Sequence, residues 1–253
     1  MRSSCSNSII RCIPSAAAVR SHPDCQRSTI SSTAGGARSI RLLLESRYAG
    51  KTVLAVGAHA DDVELAAGGT LAKLKRAGAR VVMAVVSLPG NYELRRREAE
   101  RAAGILGCEL RVLMPDGTRR IEDLKSYELV AMIDREVREC APAAMLTHGA
   151  TEFHRDHVLV HQACVSSQRL AYFDFFTYQP ISCRAVPMAF HARAYVDITP
   201  TIDTKMRAIE AHASQFKQRG IGVELHRDIA RLNGRMVGVQ YAEALDVGRL
   251  LLA

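Results

Sequence analysis

From residue 52 onward, short apolar segments rich in β-branched residues alternate with longer amphipathic segments. Strands that alternate with helices at this spacing form a mainly parallel sheet with helices on both faces. The predicted strands are 52–58, 80–87, 109–113, 143–147 and 192–199, and the predicted helices are 68–77, 92–106, 121–140, 157–170 and 200–216. The sequence therefore predicts an α/β fold with a mainly parallel, Rossmann-like sheet, plus a smaller C-terminal α+β region.

The first 44 residues differ from the rest of the chain. They hold ten serines, six arginines and one acidic residue, Asp24, and they show no apolar periodicity. Because such a composition is typical of disorder, we expect a disordered extension over 1–45 and a folded domain over 46–253, with its core at 50–171 and a substrate-side region at 172–253. The arginine- and serine-rich, acid-poor start resembles a transit peptide. An extension created by a misplaced start codon explains it equally well.

Charge and cysteine content narrow the class of protein. The net charge is +8, but residues 1–44 contribute +5 and the remaining +3 is dispersed, so the sequence does not indicate a nucleic-acid partner. The seven cysteines form no C-x-x-C pair, which favours a reducing, cytoplasmic location. No apolar run approaches the roughly 18 residues of a membrane span. We therefore expect a small-molecule partner, and the sequence leaves a homo-oligomer open.

Two polar clusters follow predicted strands. The segment "HADD" (59–62) follows the first strand, and "HGATEFHRDH" (148–157) follows the fourth. Parallel α/β sheets place their sites outside the carboxyl ends of the strands. His59, Asp62 and one histidine of the second cluster would supply the three protein ligands of a catalytic zinc site. Asp61 would then be the general base toward a metal-bound water.

Other interpretations fit parts of this pattern. Two aspartates directly after a strand are also typical of a helix N-cap. His157 and His161 have the spacing of a zincin helix, but Val158 stands where that signature needs glutamate. We therefore expect His161 at the surface or behind a ligand. A dinucleotide site is excluded because G-x-G-x-x-G is absent. Four other histidines are more typical of structural residues than of ligands: His148, His191, His212 and His226.

The two clusters together resemble a known family. "AHADDVE" (58–64) is similar to the Ala-His-Pro-Asp-Asp-x-Glu motif of the LmbE-like, PIG-L-type zinc-dependent N-deacetylases, which include N-acetylglucosaminyl deacetylases, and "HRDH" (154–157) is similar to their His-x-Asp-His motif. The resemblance runs in the same order over about residues 50–245. Its softer matches are "GNYELRRREAERAAGILGC" (90–108), "PDG" (115–117), "YVDIT" (195–199), "HASQ" (212–215) and "YAEA" (241–244).

The resemblance implies a metal site and a reaction. Zinc, or iron(II) as the alternative that the same ligand types suit, would be held by His59, Asp62 and His157. The reaction would be removal of the acetyl group from an N-acetylated amino sugar, free or carried on a larger molecule. Hydrolysis of another small amide and an inactive sugar-binding protein are the alternatives.

The resemblance also implies roles for the remaining residues. Asp61 would activate the attacking water. His154 would act as the acid or stabilise the oxyanion, with Asp156 orienting it. Arg95 and Asp116 correspond to positions that contact the sugar.

One position departs from the family motif, because Ala60 stands where the family has proline. Proline would fix the backbone dihedral before the aspartates. Alanine loosens that preorganisation but removes no ligand, so we expect activity to survive.

Overall fold

The computed structural model describes residues 44–115, 119–181, 190–220 and 222–251. Within these residues the strands form one seven-stranded sheet of order β3-β2-β1-β4-β5-β7-β6. The strands are β1 (Thr52–His59), β2 (Arg80–Ser87), β3 (Glu109–Val112), β4 (Ala144–His148), β5 (Asp174–Tyr178), β6 (Ala194–Asp197) and β7 (Ala242–Arg249). The pairings among β1 to β5 are all parallel. The predicted α/β class is thereby confirmed.

The C-terminal strands extend this sheet instead of forming a separate layer. The second half of β7 pairs antiparallel with β5, at Thr177 and Asp246 for example. The first half of β7 pairs antiparallel with β6, from Ala242 opposite Asp197 to Leu245 opposite Ala194. The sequence predicted a smaller region packed on the main sheet, whereas the structure makes β7 a bridge between β5 and β6.

Helices cover both faces of the sheet. They are α1 (Asp62–Arg76), α2 (Tyr92–Leu106), α3 (Ser126–Cys140), α4 (Arg155–Ser167), α5 (Ile202–Glu210), α6 (Ala213–Arg219) and α7 (Glu224–Met236). Strand β1 is buried on both sides: Val53 and Ala55 join the core under α1, α2 and α5, and Leu54 and Val56 join the core under α3 and α4. This two-sided burial explains the unbroken apolar run of β1.

Helix α1 begins six residues before its predicted start. It starts at Asp62, so Gly68 and Gly69, the first two residues of the predicted helix, lie in its interior. A β-carbon on Gly69 would lie 2.8 Å from side-chain atoms of Ile198. The glycine therefore serves the close approach of the segment after β6. As a result, both aspartates of the first cluster stand at the very start of a buried helix.

Four other segments differ from the prediction. The helix predicted over 121–140 is a short 3-10 turn, Ile121–Asp123, followed by α3, whose start is fixed by the Lys125 amide donating to Glu128 at 2.8 Å. The helix predicted over 200–216 is divided into α5 and α6. Strand β5 and helix α7 were not predicted. In the part of the chain that the structure describes, none of the helices combines the length and apolar character needed to cross a bilayer.

Candidate active site

The two polar clusters meet at the carboxyl edge of the sheet. His59 ends β1 and His148 ends β4, and these strands are neighbours. Asp62 begins α1 on one side of the edge. His154 and His157 lie at the start of α4 on the other side. The two clusters lie together as expected, because adjacent parallel strands end at the same edge of the sheet.

Asp61 occupies a strained turn between β1 and α1. The backbone of Asp61 is left-handed, with φ 92° and ψ −28°, and the residue is fully buried. The side chain makes no capping hydrogen bond to the first turn of α1, a turn that the structure describes in full. The structure thus gives no support to the N-cap interpretation for Asp61. An aspartate tolerates this conformation better than most residues, but the strain needs surrounding contacts to hold it.

Arg95 of α2 supplies part of that support. Its guanidinium donates to the Ala60 carbonyl at 3.1 Å and to the Pro89 carbonyl at 3.0 Å. Nη2 also lies 3.9 Å from Asp61 Oδ1. Arg95 is buried. Arg95 thus stabilises the turn that carries Asp61. In the family motif, a proline at position 60 would restrict the backbone of the same turn.

Asp62 is the centre of the cluster. Its Oδ2 accepts the His59 amide at 2.8 Å and lies 3.7 Å from His59 Nδ1, 3.3 Å from His148 Nε2 and 3.5 Å from His157 Nε2. Burial acts to raise the pKa of Asp62, but His157, His148 and His59 outweigh it and hold the pKa well below its usual range. The carboxylate is therefore anionic and faces three imidazoles.

Ligand atoms of His59, Asp62 and His157 all lie within 4.8 Å of one another. Their side chains are largely buried, with exposed fractions of 13%, 7% and 7%. Two imidazoles and a carboxylate that converge in this way suit a divalent metal such as zinc or iron(II). The residues present thus fit the metal that the motifs imply.

His154 lies beside these three residues at the solvent side. Its ring stacks on His157 with the centroids 4.7 Å apart and meets the edge of the His59 ring at 5.0 Å. Partial burial, together with His157 and His59, lowers the pKa of His154. The residue is exposed, so its ring can reach both the cluster and an incoming ligand.

Asp156 does not contact His154 in the expected way. Its carboxylate hydrogen-bonds to His59, with Oδ2 2.9 Å from Nε2. Only its backbone amide contacts His154, at Nδ1. Asp156 therefore orients the His59 ring so that Nδ1 faces Asp62, and the sequence-based expectation that it orients His154 is corrected. Helix α4 directs the carboxylate back across the edge toward β1.

Two residues of the site were not predicted as such, because their burial beside the cluster cannot be seen in the sequence. His148 is fully buried and its Nε2 accepts the Ala58 amide at 2.9 Å. Glu152 is buried too, and its Oε2 lies 3.7 Å from His157 Nδ1. A glutamate within "GATEFH" looks like a solvated loop residue. His161 donates from Nδ1 to the His148 carbonyl, 2.8 Å away, so it lies behind the cluster as expected.

The softer motifs form a layer that supports the cluster. His212 Nε2 lies 2.8 Å from Glu64 Oε1 in α1. Ser214 donates its amide and its hydroxyl to Glu98, at 2.8 and 2.6 Å. These contacts lie in "HASQ" and attach the segment around α6 to α1 and α2. They support the expectation that His212 is structural.

A second set of contacts stabilises the middle of α1. Glu243, in "YAEA", accepts the amides of Gly69 and Thr70 at 2.8 and 2.6 Å. Lys205 pairs with Glu243 at 2.6 Å and donates to the Leu65 carbonyl at 2.8 Å. The buried ion pair thus satisfies backbone groups in α1 and fixes the helix that begins at Asp62. Asp116, the remaining predicted site residue, lies outside the described residues.

Known proteins resemble this chain in sequence. Residues 54–167 match the family described as PIG-L: GlcNAc-PI de-N-acetylase. A diacetylchitobiose deacetylase from Thermococcus kodakarensis is 28% identical over an alignment of 219 positions, which covers 77% of this chain and 82% of that protein. The matched family segment begins within β1 and ends with α4, so it spans both clusters.

Solved structures share the fold. The conserved protein TT1542 from Thermus thermophilus has a TM-score of 0.66 and 27% identity, over 79% of this chain and 96% of that one. GalB, the 4-carboxy-2-hydroxymuconate hydratase from Pseudomonas putida, also has a TM-score of 0.66, with 21% identity over 80% of this chain and 98% of that one. Because proteins of different activity share this fold, function must be argued from the site.

Proposed function

Since this chain belongs to the PIG-L (LmbE-like) deacetylase family, we propose that it is a metal-dependent hydrolase that removes the acetyl group from an N-acetylated amino sugar or sugar conjugate. The observation that carries the proposal is the convergence of His59, Asp62 and His157 within 4.8 Å beside the buried Asp61. An inactive sugar-binding protein would have no need of this set. Zinc is the metal we expect, and iron(II) is the alternative with the same ligand preferences.

Each chemical requirement of amide hydrolysis has a residue in the site. The bound metal would polarise the carbonyl and increase the acidity of the attacking water. Asp61 would accept the proton of that water as its oxygen bonds to the acetyl carbon. His154, exposed at the mouth, would stabilise the oxyanion or donate a proton to the departing nitrogen as the C–N bond breaks. Acetate and the free amine leave.

We propose that Arg95 and Asp116 contact the amino sugar. Arg95 already binds the turn that carries Asp61, so a sugar hydroxyl that contacts Arg95 would be held in register with the base. The relative that is named a diacetylchitobiose deacetylase supports a sugar of this class. Hydrolysis of another small amide by the same residues remains the competing reaction.

The test combines metal content and acetate release. We expect about one metal ion per chain by elemental analysis, and acetate from at least one member of a panel of N-acetylated sugars. His157→Ala should lose both the metal and the activity. His161→Ala is the matched control one turn along α4, and it should keep both.

Two results would contradict the proposal. Full metal occupancy in His157→Ala would remove this residue from the site. A metal-loaded wild-type protein that releases no acetate from the panel, but hydrolyses simple N-acyl amines, would favour the competing amide reaction.

A further inference from the structure

Glu152 is a buried carboxylate to which the proposed function assigns no role. Its side chain has no exposed surface. Neither carboxylate oxygen makes a hydrogen bond to the residues that the structure describes. A buried carboxylate is costly unless hydrogen-bonded or paired with a cation. The nearest polar group that the contacts identify is His157 Nδ1, 3.7 Å from Oε2.

Two buried imidazole nitrogens, one on each of the histidines grouped with Glu152, also lack hydrogen-bond partners among the described residues. His148 Nδ1 and His157 Nδ1 are also buried without a hydrogen bond within the described ranges. Ligand atoms of His148, Glu152 and His157 all lie within 4.8 Å of one another. Buried polar groups that converge in this way either share a cation or share protons.

The tautomer of His148 decides between these possibilities. Its Nε2 accepts the amide of Ala58 at 2.9 Å, so Nε2 uses its lone pair there. A neutral imidazole carries one N–H, and that N–H must then be on Nδ1, the buried atom that still lacks a hydrogen bond within the described residues. An Nδ1–H group is a donor and cannot bind a metal ion. The cluster is therefore built for a carboxylate that accepts from imidazole.

The orientation of His157 leads to the same conclusion. Its Nε2 lies 3.5 Å from Asp62 Oδ2, and its Nδ1 faces Glu152 on the opposite side. When Nε2 binds a metal, Nδ1 carries the proton and needs an acceptor. His59 already has this arrangement, with Nδ1 toward Asp62 and Nε2 bonded to Asp156 at 2.9 Å. Each histidine ligand would thus be backed by its own carboxylate.

We propose that Glu152 is the positioning residue of the metal site: its carboxylate accepts the Nδ1–H of His157 and of His148, and so directs His157 Nε2 toward the metal. This inference rests on the proposed function for the identity of the metal ligands. Partners of this kind typically contribute 10–100-fold to metal affinity. Glu152 touches neither substrate nor water in this role.

The test measures metal binding without substrate. Full-length wild type, Glu152→Ala and Glu152→Gln are compared by chelator competition for zinc and by the visible spectrum of the cobalt(II)-substituted protein. We expect Glu152→Ala to bind zinc about 10–100-fold more weakly, with a shifted cobalt spectrum. Glu152→Gln keeps an acceptor oxygen and should recover part of both.

Asp134→Ala is the matched control for the loss of a buried carboxylate. Asp134 is buried and accepts from Ser167 at 2.8 Å and from Arg169 at 3.0 Å, in α3. This variant should be less stable but should keep wild-type zinc affinity and cobalt spectrum. Equal zinc affinity and equal spectra in wild type and Glu152→Ala would overturn the inference.

Other outcomes separate this inference from the proposed function. Two zinc ions per wild-type chain, one of them lost in Glu152→Ala, would make the cluster a second metal site and overturn it. Zinc binding that depends on Glu152 but comes with no acetate release would overturn the function alone. A wild type that binds no zinc would overturn both.

Discussion

His212 Nε2 lies 2.8 Å from Glu64 Oε1, and both side chains are buried. Glu64 is in the first turn of α1, two residues after Asp62. His212 stands at the break between α5 and α6. The pair therefore connects the junction between α5 and α6 to the helix that presents both aspartates.

Glu64→Gln should lower stability in a pH-dependent way. Burial acts to lower the pKa of His212, but the charge and hydrogen bond of Glu64 outweigh it and raise the pKa above its usual value. A raised folded-state pKa stabilises the protein fully below the unfolded pKa, about 6.5, and this contribution is lost as pH rises through the folded pKa. Urea unfolding at about pH 6 should show a loss of about 3–5 kcal/mol.

The stability difference between Glu64→Gln and wild type should narrow as the pH rises above about 6.5 and through the raised folded-state pKa of His212. Glu100→Gln is the control, because its partner Arg96 is at the surface. That change should stay within about 0.5 kcal/mol at either pH. A constant difference between wild type and Glu64→Gln across the pH range would show that His212 does not carry the effect.

Asp61→Asn and Asp62→Asn should separate the base from the ligand. Asp61→Asn keeps shape but cannot accept a proton, so it should keep the metal and lose about 10²–10⁴-fold in rate. Asp62→Asn removes an anionic ligand that faces three imidazoles, so it should lose metal affinity first and recover some activity with excess metal. Metal content and deacetylation rate are measured on the same preparations.

If Asp61→Asn loses the metal while Asp62→Asn keeps it, then Asp61 is the ligand and Asp62 is the base. Full rate and full metal content in both variants would show that the aspartates serve only the turn and the helix start.

Gly69→Ala should destabilise the protein although alanine favours a helix. A β-carbon there would lie 2.8 Å from Ile198, which is fully buried and cannot move freely. Overpacking of this kind costs about 1–3 kcal/mol. Gly104→Ala is the control within α2, where a β-carbon meets nothing within 4 Å. That substitution should stabilise by up to about 1 kcal/mol, and thermal unfolding of the two variants should move in opposite directions.

Ala60→Pro should be tolerated. His59 before it belongs to strand β1 and so has the extended backbone that proline requires of its predecessor. We expect unchanged metal content, a rate within about twofold of wild type and a gain of about 0.4–1 kcal/mol. Ala58→Pro is the contrasting variant, because it deletes the amide that donates to His148. It should lose stability by about 3 kcal/mol or more, and a similar loss in Ala60→Pro would refute the expectation.

The location of the site could be predicted from the sequence because it depends on strand ends. "HADD" and "HRDH" each follow an apolar strand, and parallel strands end at one edge. That rule alone brings His59, Asp62 and His157 together across almost 100 residues of chain. The start of α1 could not be predicted in the same way. Gly68 and Gly69 lie inside it because Ile198 packs against Gly69 and Lys205 against Gly68, and these contacts are long-range.

The supporting residues were the least predictable part of the site. Glu152 and Glu243 have ordinary surroundings in the sequence, and their importance comes from burial beside groups far away in the chain. The correction to Asp156 has the same origin. Its neighbour in sequence is His154, but the direction of α4 places its carboxylate on His59.

Strand β7 is the last described strand along the chain, yet in the sheet it lies between β5 and β6. Its Glu243 also holds α1 at Gly69 and Thr70. During synthesis from the N-terminus, His157 is therefore made before the strand that completes the sheet. At roughly 5–20 residues per second, translation from His157 to Arg249 takes on the order of 5–20 s. For that interval the nascent chain carries every ligand of the site while the edge of β5 is still open, a form that pairs readily with other chains.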